Sequence, residues 1–237
     1  MSVPGVDSRV LEDLAAASRI LVDQGVFDAA GHVSMRHPGR AERFLMSRSL
    51  APELVQADDI MEFDRDSNAI DPRGRNGFIE RYLHGEIYRA RSDVMAVAHS
   101  HSPTVIAFGL SKEPMRAMYH NAAFLAAGVP VFDIREKFGA TDIVISTAAK
   151  GAALAETLAD KPVALLRAHG MVAVGPSLAI TVFRAIFTVT SATVQHQALA
   201  LGGPIAALDA EEGALADVVN VQTVRRSWDL WKKRVMK

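Results

Sequence analysis

The stretch Val94-Met95-Ala96-Val97-Ala98-His99-Ser100-His101 is apolar and partly β-branched until two histidines close it. A run of this kind suits a strand covered on both faces, inside a sheet flanked by helices. Working back from it, Phe78–Arg91 carries Ile79, Leu83, Ile87 and Ala90 at helical intervals, and Ile60–Phe63 reads as a strand. Gly31–Met35 and Phe44–Ser47 form a hairpin pattern across a Pro- and Gly-containing stretch, and Asp7–Gln24 is an amphipathic helix capped by Asp7 or Ser8. Forward of it come helical patterns at Pro103–Phe108 and Ala122–Ala127, strands at Val129–Phe132 and Ile143–Ser146, and a helix at Ala148–Ala159. Strands at Val163–Arg167 and Met171–Val174 then flank Ala168-His169-Gly170, and a long helix at Leu178–Leu201 precedes a charged C-terminal helix. The alternation predicts one α/β domain over residues 1–237, three layers thick, with no linker or internal repeat.

Composition narrows the function. Lys and Arg total 26 against 27 Asp and Glu in 237 residues, which leaves no broad basic surface for nucleic acid or anionic lipid. There is no cysteine, so disulfides, Fe–S clusters and thiolate chemistry are excluded, and any metal must rest on His, Asp or Glu. No basic segment followed by an apolar one opens the chain, and no uninterrupted apolar run approaches the roughly 18 residues of a membrane span. A cytoplasmic protein without membrane contact is expected.

His99 and His101 stand two apart at the end of a strand, so their imidazoles leave it on one face. His169, before Gly170 at a tight turn between two strands, is placed to add a third. Three histidines leave a coordination position open, as a catalytic metal requires. Glu80 lies near the start of the second helix with His84 one turn on. Taken alone it reads first as a complement to the helix N-terminus. Next to a metal it is the best available proton carrier, because a Lewis acid stabilises an enolate but cannot protonate carbon.

Glu80 with His84, the string His99-Ser100-His101-Ser102-Pro103, and Arg167-Ala168-His169-Gly170 together resemble the class II aldolase/adducin family, over most of the chain and in the family's order. The resemblance implies a three-layer α/β/α domain around a mixed sheet, tetramers with sites at subunit borders, His99, His101 and His169 as ligands of a divalent metal, and Glu80 as acid/base. Phosphosugar members cradle phosphate with an Asn after the glycine of the first strand, a Ser-Gly pair in the next loop and a Ser pair before the acid. Here those positions read Gly31-His32, Arg48-Ser49 and Phe78-Ile79. A hydrated phosphate dianion would meet an apolar wall at Phe78-Ile79.

The guanidinium fork of Arg48, beside Ser47, suits a carboxylate, and Phe78 offers a face for a flat ring. The pattern is most similar to the branch that decarboxylates hydroxylated aromatic or pyridine carboxylic acids in the catabolism of aromatic compounds. The expected chemistry is decarboxylation through an enolate-like intermediate, the metal acting as electron sink. Glu80 protonates the carbon, with His32 as an alternative donor, and His120 in Tyr119-His120-Asn121 is a further candidate to line the pocket. Three neutral imidazoles suit zinc or manganese, and also cobalt or iron. Aldol cleavage of a hydroxy-acid or sugar phosphate shares every one of these motifs, and a non-catalytic interaction module is the rival from another class. His196 and the Trp228, Trp231 pair read as packing or subunit contact, and the basic residues of the last helix as a solvated face.

Overall fold

Apolar residues three and four apart draw Ser8–Asp23 into helix α1, with Asp7 accepting from the Arg9 amide as its cap, in a computed structural model that describes residues 3–236. Residues 1, 2 and 237 of the expected domain lie outside that range. Among the described residues eight strands then form one sheet: β1 (His32–Arg36), β2 (Phe44–Ser47), β3 (Ile60–Phe63), β4 (Ala69–Ile70), β5 (Ala96–Ser100), β6 (Val131–Phe132), β7 (Val163–Leu166) and β8 (Gly170–Gly175). Their order is β4-β3-β2-β1-β5-β8-β7-β6. Only β6 and β7 run parallel, so the sheet is mixed. The apolar run that opens at Val94 forms the inner strand β5, between β1 and β8.

The pleat sorts side chains into two cores. Leu45, Ala98, Met171 and Ala173 join a cluster with α1 and with helices α6 (Leu178–Leu201) and α7 (Ala210–Val235). Their neighbours Phe44, Met46, Val97, Val172 and Val174 join the other, under helices α2 (Arg81–Ala90) and α5 (Ala148–Leu158). The result is the single three-layer α/β domain expected. Short helices α3 (Pro103–Leu110) and α4 (Arg135–Phe138) and a 3-10 segment over His120–Ala127 fill the edges. By length and composition α6 would cross a membrane, but half of its most apolar window is buried, with Val182, Phe183 and Ile186 in the sheet-side core. Trp228 and Trp231 are buried in the same core and His196 meets the edge of Phe108, which agrees with packing roles.

Two local expectations fail for identifiable reasons. Ile143–Ser146 is irregular rather than a strand. The Ile143 and Val144 amides donate to the side chains of Thr141 and Asp142, Ile143 takes a positive φ, and the Ile145 amide is claimed by Glu80. Local side-chain acceptors have displaced a ladder. The second helix begins at Arg81 rather than Phe78, which leaves Phe78, Ile79 and Glu80 on a turn where their side chains need not follow helical spacing.

Candidate metal centre and active site

β5 ends at Ser100, and the chain turns into α3 through Ser102 and Pro103, a residue suited to the first helical turn. His99 and His101 leave this corner together. Their Nε2 atoms are 3.1 Å apart and their rings stand edge to face. On the next strand pair, β7 turns into β8 through Arg167-Ala168-His169, with Ala168 at φ 56° and the His169 amide bonded to the Leu166 carbonyl. That turn lays the His169 ring parallel to His101, with centroids 5.2 Å apart.

Gly170 makes the approach possible. A Cβ there would lie 1.9 Å from the Ser100 carbonyl oxygen, which is backbone and cannot swing away. We expect Gly170→Ala to push β8 from β5 where the histidines meet, with a loss of about 1–3 kcal/mol in urea unfolding. Divalent metal content measured by elemental analysis should fall with it, and full metal content in a destabilised variant would contradict this role.

Glu80 completes the group. It occupies the position just before α2 without capping the helix. Its Oε1 accepts from the Ile145 amide at 2.9 Å, and its Oε2 lies 3.3 Å from His99 Nε2 and 3.4 Å from His169 Nε2. One ligand atom from each of Glu80, His99, His101 and His169 falls within 4.8 Å of all the others. Burial raises the Glu80 carboxyl, but its close contacts with His99 and His169 outweigh it and hold the group far below the usual carboxylate range. His101 is lowered, first of all by burial.

The donor set fits a divalent cation. His99 Nδ1 donates to the Met171 carbonyl at 3.0 Å, and His101 Nδ1 to Asp28 Oδ1 at 3.2 Å. Asp28 is itself fixed by the Ala30 and Gly31 amides. With both Nδ1 protons so engaged, both Nε2 atoms carry lone pairs. Two lone pairs facing each other at this distance repel unless a positive centre lies between them, and such outer hydrogen bonds are what orient metal-binding histidines.

The other sequence candidates fall in three places. His32 is directly opposite His99 in the β1–β5 ladder, so both rings lie on the α2 face, with centroids 5.1 Å apart. Phe78 packs on His32 at 4.6 Å. Both therefore join the cluster. Arg48 does not reach the histidines: its Nε donates to Asp59 at 2.6 Å, and it lines an adjoining cavity of about 900 Å3 with Ser49, Asn76, Ile79 and Arg81. Ser47 pairs with Ile60, and the pleat turns it to the α1 side, away from His32. His120 is exposed and bonds only Asn121 through its ring, and among the described residues it makes no contact with the cluster.

Two sets of residues went unassigned in the sequence. Asp28 orients His101. Behind His32, His84 is fully buried and bonds both His32 and Ser34, and Ser34 bonds Tyr88. Burial pushes His84 down to about 3 and holds His32 well below the ordinary imidazole value. The signals were there: Ser34 is two residues from His32 on one strand, and Tyr88 is one turn beyond His84.

Residues 12–196 match the Class II Aldolase and Adducin N-terminal domain family. The chain is 34% identical to decarboxylase tropJ of Talaromyces stipitatus over 91% of its own length and 90% of the relative's. It is 29% identical to a 3,4-dihydroxyphthalate decarboxylase of Arthrobacter keyseri, covering 92% and 90% of the two chains. Among solved structures, an L-fuculose 1-phosphate aldolase from Glaciozyma antarctica superposes with a TM-score of 0.79 at 22% identity, over 96% of this chain and 88% of that one, which establishes the fold.

Proposed function

The chain belongs to the class II aldolase and adducin family, and from that premise we propose that it is a metal-dependent lyase removing carbon dioxide from a hydroxylated aromatic or heteroaromatic carboxylic acid. The observation that carries this reading is the meeting of His99, His101, His169 and Glu80 at one point, bordered by His32 and Phe78 rather than by a phosphate cradle. The names of the two decarboxylase relatives support it.

His99, His101 and His169 would hold zinc or manganese, with cobalt or iron as alternatives. That ion supplies Lewis acidity, stabilising negative charge as it builds up on the substrate. Phe78, packed on the buried His32 ring and itself only part-buried, presents an aromatic face to the substrate. In the reaction the bond from the ring carbon to the departing carboxylate breaks and its electron pair stays on carbon. Glu80 takes a proton from the substrate's hydroxyl and delivers it to that carbon. The Ile145 amide keeps the carboxylate aimed throughout. Arg48, in the adjoining cavity, grips a second carboxylate once it exchanges Asp59 for substrate, as planar charged pairs allow.

The working protein is proposed to be a homo-oligomer, a tetramer with sites near subunit borders. Exposed Leu215, Val218 and Val219 on α7 offer an apolar face for such contact. Carbon dioxide release from 3,4-dihydroxyphthalate, set against retro-aldol cleavage of L-fuculose 1-phosphate, tests the reaction class. Decarboxylation should be favoured by at least about 100-fold in kcat/KM, as expected where a site built for one polar group meets a substrate lacking it. Vigorous aldol cleavage without carbon dioxide release would overturn the proposal.

A further inference from the structure

A row of four buried polar groups runs from the interior to the candidate site, and none of the inner three belongs to the ligand set or the acid. The Tyr88 hydroxyl lies 2.7 Å from Ser34 Oγ, Ser34 Oγ lies 2.7 Å from His84 Nδ1, and His84 Nε2 lies 2.8 Å from His32 Nδ1. Ser34 and His84 are wholly buried, and His32 and Tyr88 nearly so. Each ring is bonded here to neutral partners, so each neutral imidazole holds one proton and every link in the row has a single donor.

The far end sets the direction. Among the described residues the Tyr88 hydroxyl has one side-chain partner, Ser34 Oγ, and a buried phenol proton left without an acceptor is the costly alternative. Having accepted from Tyr88, the Ser34 hydroxyl gives its own proton to His84 Nδ1. His84 then carries its proton on Nε2 and donates to His32 Nδ1. The one proton left to His32 sits on Nε2, which has no partner among the described residues on a ring packed between Phe78 and His99.

We propose that His84, held by Ser34 and Tyr88, is a positioning residue that locks His32 in its Nε2–H tautomer and presents that N–H to the substrate as a hydrogen-bond donor. The proposal rests on the functional reading above only for its ligand, an anionic carboxylate or phenol oxygen. A neutral donor fixed in advance needs no reorganisation when charge develops on that oxygen. It also explains why a second buried histidine stands behind the first, where an apolar residue would pack equally well.

Neutron diffraction from perdeuterated wild-type protein reads the proton positions directly. Deuterium is expected on Nε2 of both His32 and His84, and deuterium on His32 Nδ1, alone or together with Nε2, overturns the proposal. A kinetic arm separates positioning from packing. His84→Leu should lower kcat on 3,4-dihydroxyphthalate by about 100-fold with KM within about threefold, the range of one lost oxyanion donor. His84→Gln places an amide N–H where Nε2–H was and should recover kcat to within about fivefold of wild type. Equal losses in the two variants would show packing alone and overturn the idea. Wild-type protein inactive on this acid would sink the functional reading instead, and the proton positions would still decide the tautomer, as they do if His84→Leu fails to fold.

Discussion

Stripping divalent metal with a chelator is expected to lower kcat/KM on 3,4-dihydroxyphthalate by at least about 1,000-fold, with activity returning on addition of zinc or manganese. The size follows from the donor set. A Lewis acid contributes several kcal/mol of charge stabilisation in such a reaction, and the four residues that meet at the cluster, Glu80, His99, His101 and His169, include no Lys or Arg to replace it.

Substitution of the ligands should agree with the chelator. His101→Ala and His169→Ala are the informative pair, because both rings are only part-buried, whereas His99 is wholly buried and bonds the Met171 carbonyl. Each should leave the fold intact by circular dichroism and reduce bound metal from one ion per chain to a small fraction. Asp28→Asn weakens the bond that aims His101 and should cost about 10–100-fold in metal affinity while leaving the three rings in place. Full turnover in the chelated protein, or in both alanine variants, would remove the metal from the account altogether.

The division between what the sequence disclosed and what it hid follows from chemistry. The apolar run ending in His99 and His101 was legible because a strand's period of two fixes which residues share a face. The turn at Ala168-His169-Gly170 was legible because two strand patterns meet there with a glycine between them. Their convergence depends on the β1-β5-β8 order and on a backbone approach that only Gly170 permits, and neither is local in sequence. The reading of Ile143–Ser146 as a strand failed because apolarity said that Ile145 is buried but not where its amide would bond. Ser47 and Ser34 show the same limit. Both are buried serines on neighbouring strands, yet register sends Ser34 toward His84 and Ser47 to the opposite face. His84 was visible as a helical neighbour of Glu80, but its partners come from β1, some 50 residues upstream.

Glu80→Gln should lower kcat by about 100- to 10,000-fold while metal content stays at one ion per chain. The substitution preserves size, and the amide oxygen of glutamine still accepts from the Ile145 N–H that fixes Oε1 at 2.9 Å. The capacity to carry a proton is lost together with the negative charge, while size and the Ile145 bond are kept. The three imidazoles remain, so metal retention discriminates an acid/base from a fourth ligand: if Glu80 were chiefly a ligand, metal would be lost together with activity. The location of the defect is also measurable. In heavy water the wild-type enzyme should place one deuterium on the ring carbon that lost its carboxylate, and the variant should do so at the reduced rate, with KM changed little because Phe78 and His32 still meet the substrate. Retention of wild-type turnover by Glu80→Gln would leave His32 as the proton donor. It would also leave unexplained why a carboxylate stands buried within 3.4 Å of two histidines with one oxygen fixed by the Ile145 amide and none of it capping its helix.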